Sequence, residues 1–161
     1  SHPNIVTVFD VGEAPNGWFI AMELVQGESL AAWRLDPPGI ARLADAGAQC
    51  ALALAAAHEA GIVHRDVKPE NVMVRSDGYV KLARLMDAER ASTTAERRSA
   101  TGLTSPGLVI GTLRYLSPEQ ASGDPIGPPS DVFSLGTMLY ELATTSHPFM
   151  AKTDVGIIGQ I

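Results

Sequence analysis

The stretch His64-Arg65-Asp66-Val67-Lys68-Pro69-Glu70-Asn71 decides how the rest of the chain reads. It gathers an imidazole, two cations, two carboxylates and an amide into eight residues. Before it runs an alanine-rich stretch, Ile40 to Ala60, with Leu43, Leu52 and Leu54 among its apolar positions. Ala and Leu are strong helix formers, and Gly61 follows as the expected C-terminal stop. The apolar surface of this helix is broad, which predicts burial in a core rather than a place on a membrane surface. After the octet, Val72-Met73-Val74-Arg75 and Tyr79-Val80-Lys81-Leu82 flank Ser76-Asp77-Gly78, and an Asp-Gly pair between apolar runs predicts a hairpin. The octet is therefore a loop between a core helix and a hairpin. A solvated loop would account for any one of its side chains, but not for the set.

The octet resembles the catalytic loop of eukaryotic-type serine/threonine protein kinases. That pattern is His-Arg-Asp, an apolar residue, three more residues and Asn, with Lys two places after the Asp; all of it is present. The Lys-Pro-Glu middle is similar to the serine/threonine branch. The resemblance implies a role for each residue. Phosphoryl transfer asks a protein mainly for positioning and charge neutralisation. Asp66 would orient the attacking hydroxyl, Lys68 would sit near the transferring phosphoryl group, and Asn71 would hold magnesium through its amide oxygen. His64 and Arg65 would be structural and regulatory. ATP and Mg2+ are the cofactors implied, and a protein Ser or Thr is the substrate.

Bulk properties agree with a globular chain. Its 161 residues suffice for a real core, 45% are hydrophobic, and the mean hydropathy is +0.08. A net charge of −6 argues against a nucleic-acid surface. The single cysteine, Cys50, lies in the apolar helix, which excludes an internal disulfide and is expected of a buried thiol in a reducing, cytoplasmic setting. The longest uninterrupted apolar run, Cys50 to Ala57, is too short to span a bilayer. The chain begins at Ser1 rather than Met, as expected of a piece of a longer protein.

Residues 5–11 are rich in β-branched side chains and predict a strand. Pro15 and Asn16-Gly17 predict a turn, and residues 18–24 a returning strand. By resemblance these are the fourth and fifth strands of a small kinase lobe. Met22 would be the gatekeeper, Glu23 to Val25 the hinge whose backbone meets the adenine edge, and Met73 the floor of the adenine pocket. Gln26-Gly27-Glu28 ends the strand, and Ser29 is the expected N-cap of a short helix to Leu35. His58 is expected to be a helix-terminus cation or a surface group.

The pattern breaks after the hairpin. The family carries an Asp-Phe-Gly triplet there, whose Asp is a principal magnesium ligand. Here Leu82 is followed by Ala83-Arg84-Leu85-Met86-Asp87. Either Arg84-Leu85-Met86 replaces the triplet, or about five residues are absent and Ala83-Arg84 is the Ala-Arg that often follows it. The second register leaves ordinary activation-segment sequence after Ala83. Both remove the ligand, and the first puts a guanidinium where a dication would bind. Asp87 lies three residues past Arg84, up to about 10 Å along an extended chain.

Residues 91–110 are rich in Ser, Thr, Gly and Ala and predict a loop. By resemblance it belongs to an activation segment at about 83–119, in which Thr101, Thr104 and Ser105 are candidate phosphosites and Arg65 their partner. The run from Gly111 to Glu119 is similar to the substrate-docking end of that segment. It implies that Thr112 contacts Asp66 and Lys68, and that Glu119 pairs with an arginine beyond this chain. Ser130-Asp131 is expected to cap a helix through Ala143. Asp131 matches the aspartate that holds the catalytic loop from below.

The fold expected is α+β and protein-kinase-like. Residues 1–25 would be a two-strand remnant of the small lobe with the hinge, and residues 26–161 part of the helical large lobe. No Gly-rich loop or strand lysine lies in these residues, so the chain by itself is expected to be inactive. The alternatives are a pseudokinase-like protein-binding module or a non-functional gene remnant. No nucleic-acid partner, and no membrane contact within this segment, is expected.

Overall fold

The computed structural model describes residues 1–15, 17–83, 113–149, 151, 156 and 159–161. Two small sheets, three α-helices and three short 3-10 turns are the named elements among these residues. β1 (Val8–Ala14) and β2 (Gly17–Met22) form an antiparallel hairpin. β3 (Gly27–Ser29), β4 (Val72–Arg75) and β5 (Val80–Leu82) form a second antiparallel sheet in the order β3-β4-β5. The helices are α1 (Ile40–Glu59), α2 (Pro118–Ser122) and α3 (Pro128–Thr144).

α1 forms where Ala and Leu dominate, and it stops where Gly61 takes a positive φ of 77°. Its buried residues Leu43, Ala46, Gly47, Cys50, Ala53, Leu54 and Ala57 recur every three or four positions and so share one face. That face packs against α3. A Cβ on Gly47 would lie 3.0 Å from Leu139, so the small residue permits the close approach. Burial pushes the Cys50 thiol up to about 12, which keeps it unreactive. By length and composition alone α1 is long and apolar enough to cross a membrane. Here its buried face belongs to the core, with Leu30, Trp33, Val72, Leu82, Met138 and Leu142.

α3 buries two kinds of side chain. Leu135, Met138 and Leu142 join the apolar core, while Ser130, Asp131, Ser134 and Glu141 are buried and polar. Polar groups survive burial only with partners. The partners here are the octet loop, the segment at 113–119, His58 and Arg34, so α3 is both core helix and platform.

Several expectations are revised. The first strand starts at Val8, because Asn4 to Val6 pair with β5 instead: Val6 N donates to Leu82 O at 2.9 Å and Leu82 N to Asn4 O at 2.8 Å. The stretch expected to break the strand, Gln26-Gly27-Glu28, supplies β3. Ser29 precedes a 3-10 turn at Leu30–Arg34 without a side-chain capping bond. Ser130 and Asp131 do not cap α3, which begins at Pro128 with Gly127 in the N-cap position. Proline is suited to that first turn because its missing N–H would have no partner there. Ser130 and Asp131 are thereby free to bond outside their own helix. Of the two places expected for His58, the helix terminus holds, since it stands in the last turn of α1, and the surface does not: its side chain is 15% exposed and its Nε2 lies 2.7 Å from Asp131 Oδ2. Thr101, Thr104, Ser105 and Thr112 lie outside the described residues.

Two stability predictions follow from these contacts. A Cβ on Gly27 would sit 2.1 Å from the Val74 carbonyl oxygen, a clash with backbone that no rotamer relieves. Gly27→Ala is expected to lower unfolding free energy by about 1–3 kcal/mol or more, whereas Gly39→Ala, with nothing within 4 Å of its Cβ, stays within about 0.5 kcal/mol. Asp131→Ala leaves two loop amides and His58 without their acceptor and is expected to cost about 3–5 kcal/mol. Asp131→Asn, which keeps one acceptor oxygen, loses less. Urea unfolding followed by circular dichroism measures all four; a Gly27→Ala midpoint equal to that of the parent contradicts the first.

Candidate active site

The octet loop is built on the Asp131 carboxylate, whose residue is 1% exposed. Oδ2 accepts from His64 N and Oδ1 from Arg65 N, both at 2.8 Å. Charge-assisted bonds of this kind are among the stronger ones in proteins. They hold Arg65 at a φ of 66°, a left-handed conformation that non-glycine residues rarely adopt. Gln120 Nε2 fixes the same residue from the other side by donating to Arg65 O at 2.8 Å.

His64 is buried and joins the loop to the end of β5. Asp66 N donates to its Nδ1 at 3.3 Å, which makes that nitrogen an acceptor. The proton therefore lies on Nε2, which donates to Ala83 O at 2.9 Å. Ala83 N donates to Asn71 O at 2.8 Å. The residue after β5 is thus clamped through both backbone groups to the octet loop.

The three chemically central side chains meet at one place. Lys68 Nζ lies 3.0 Å from Asp66 Oδ1. Asn71 Nδ2 donates to Asp66 Oδ2 at 2.9 Å and to Asp66 O at 2.7 Å. The side chains of Asp66 and Lys68 are 24% and 13% exposed, so the carboxylate is oriented on both sides yet open to solvent. Such a group can accept a proton from a hydroxyl laid against it. Asn71 turns its amide nitrogen to Asp66, which leaves its oxygen for a ligand. One neutral oxygen beside a carboxylate already facing Lys68 and Asn71 falls short of the carboxylate-rich oxygen set that magnesium takes. The described residues do not fit a complete magnesium site.

The remaining candidates sit in different surroundings. Met22 is 44% exposed. Glu23 follows β2; its N donates to Thr7 O at 2.8 Å, and its carboxylate takes Lys81 Nζ at 2.9 Å. The bond to Lys81 first, then the Thr7 amide, hold that carboxyl below its ordinary range. Val25 and Met73 are half-buried. Glu119 accepts from Ser130 Oγ at 2.5 Å, and that bond, with a backbone amide, lowers its pKa. Ser117 caps α2 in a reciprocal bond pair with Gln120.

Sequence reading missed a polar cluster beside the loop. Arg34 Nη1 bonds Glu70 Oε1 at 2.7 Å and its Nε reaches Glu141 Oε2 at 3.3 Å. Arg34 also donates to Tyr115 OH, which donates to Glu141. Burial disfavours the Arg34 charge, and the bonds to Glu70 and Tyr115 more than offset it. Tyr115 is driven up chiefly by burial, then by its bond to Glu141. The cluster joins residues 34, 70, 115 and 141, and no local pattern could pair positions so far apart.

Residues 1–160 match the protein kinase domain family. The chain is 39% identical over 166 positions to the serine/threonine-protein kinase pkn3 of Myxococcus xanthus, covering 97% of this chain and 29% of that protein. It is 42% identical over 166 positions to PknB of Mycolicibacterium smegmatis, covering 99% and 26%. A probable serine/threonine-protein kinase of Clostridium acetobutylicum is 38% identical over 159 positions, covering 98% and 23%. The chain thus spans about a quarter of the length of these relatives. An octet loop scaffolded by α3, a family match over nearly the whole chain and close bacterial relatives lead to one conclusion: this chain belongs to the protein kinase domain family, on its serine/threonine branch.

Proposed function

We propose that the intact protein transfers the γ-phosphoryl group of ATP to a Ser or Thr hydroxyl of a protein substrate, with Asp66 orienting that hydroxyl. The supporting observation is the Asp66 carboxylate, held by Lys68 and Asn71 and open to solvent. Lys68 lies where it would neutralise charge on the transferring group. Residues 1–25 would contribute the hinge edge of the nucleotide slot and residues 26–161 the substrate side, with Met22, Glu23, Val25 and Met73 around the adenine. Arg65 and the hydroxyls of Thr101 and Thr104 would regulate the site, Thr112 would order Asp66, and Glu119 would brace the segment.

The 161 residues alone would be inactive. The supporting observation is the sequence break after Leu82, where Ala83-Arg84-Leu85-Met86-Asp87 stands without the Asp-Phe-Gly triplet that would carry a magnesium ligand. A pseudokinase-like docking role is the second reading, favoured by the same break.

Incubation with radiolabelled ATP is expected to give no transfer to the chain itself or to a basic protein substrate. Label that disappears in Asp66→Ala would overturn this. In calorimetry, ATP is expected to bind at about 1 mM or weaker, about −4 kcal/mol or less favourable, without tightening when magnesium is added. Micromolar binding that magnesium strengthens would mean that Asp87 or another carboxylate supplies the lost ligand.

A further inference from the structure

An ion pair joins β5 to the residue that follows β2, and the roles assigned above do not use it. Lys81 Nζ lies 2.9 Å from Glu23 Oε2, with side chains 12% and 27% exposed. Lys81 stands directly opposite Met73 in the β4–β5 register. Directly opposed residues of an antiparallel pair project from the same face, so Lys81 and Met73 rise side by side. Glu23 begins the segment after β2. It is bound to Thr7 twice, through its own N–H to Thr7 O at 2.8 Å and through its carboxylate from Thr7 N at 3.2 Å. Thr7 continues the strap at residues 4–6 that pairs with β5 through Leu82. Glu23 is therefore tied to β5 by backbone indirectly and by Lys81 directly.

We infer that Lys81 and Glu23 are positioning residues: their ion pair sets the distance between the backbone at 23–25 and the Met73 side chain, and so how well an adenine ring is held between them. This rests on the reading of that slot as a nucleotide site. Recognition of a flat ring through backbone groups needs those groups held to within about 0.5 Å. A lysine reaching from beside Met73 to the first hinge residue spans the slot in one step. The pair is whole at neutral pH. Lys81, the Thr7 amide and, at longer range, Arg75 favour the Glu23 carboxylate, so its contribution is lost as pH falls through the depressed pKa.

The test uses adenosine, which needs neither a phosphate site nor magnesium, on the 161-residue chain followed by NMR. Lys81→Met keeps side-chain length without charge, Glu23→Gln keeps shape, and Lys81→Arg keeps charge. Adenosine affinity is expected to fall about three- to tenfold in Lys81→Met and in Glu23→Gln, to fall no further in the double variant, and to return to within about twofold in Lys81→Arg. The Glu23 carboxyl is expected to titrate nearer its ordinary range in Lys81→Met. Unchanged adenosine affinity while that titration moves would overturn the positioning role, as would additive losses in the double variant. If the parent chain binds no adenosine while the Glu23 titration still responds to Lys81→Met, the nucleotide reading itself fails and the pair is structural only.

Discussion

One buried carboxylate holds the site together. Asp131 lies in the first turn of α3, accepts from two consecutive loop amides, and meets His58 from the end of α1. A carboxylate carries enough lone pairs to satisfy all three partners. Its desolvation is offset because the amides and the imidazole would otherwise be unpaired in the same dry place. The result is a loop whose backbone is fixed before any ligand arrives. The left-handed conformation of Arg65 costs on the order of 1–3 kcal/mol, and it persists because Asp131 and Gln120 bind the groups on both sides of it.

The same logic extends along α3. Ser130 reaches Glu119, Ser134 Oγ donates to Tyr115 O at 2.7 Å, and Glu141 receives Tyr115 and Arg34. A helix that turned only apolar residues inward would pack well against α1 but would leave the segment at 113–119 without a register. By alternating Leu135, Met138 and Leu142 with these polar groups, α3 fills the core and places the loops in one surface. Polar partners are directional where apolar contacts are not, so the polar face specifies position while the apolar face supplies most of the stability.

What the sequence made legible follows from range. α1 was readable because helix propensity and a three-to-four residue period are local, and the β4–β5 hairpin because Asp77-Gly78 announces its turn. The octet was readable as a set because chemistry concentrates in it. The misreadings all concern contacts across many residues. β3 looked like a breaker because Gly27 is a poor strand former in isolation, yet it is the residue that lets the strand approach Val74. The tie from His58 to Asp131 was hidden because nothing near His58 in sequence shows Asp131, 73 residues away. Ser130 and Asp131 looked like caps because cap residues and loop anchors are the same residue types, although Asp131 also read, by resemblance, as the residue that holds the octet loop, and it does so.

The break after Leu82 has a sharper meaning in this light. Ala83 is bound by His64 through its carbonyl and by Asn71 through its amide. The chain therefore leaves β5 along a path set by the octet loop, whatever residues come next. The loop in turn takes its shape from Asp131, His58 and Gln120, none of which is among the residues expected to meet the phosphates or the metal. The geometry of Asp66, Lys68 and Asn71 is thus a property of the scaffold and not of a bound nucleotide. Were a neighbouring magnesium ligand removed, chemistry would go while that arrangement stayed intact. A well-formed catalytic loop is consequently a record of family and fold, and transfer activity turns on the groups that the scaffold does not itself hold.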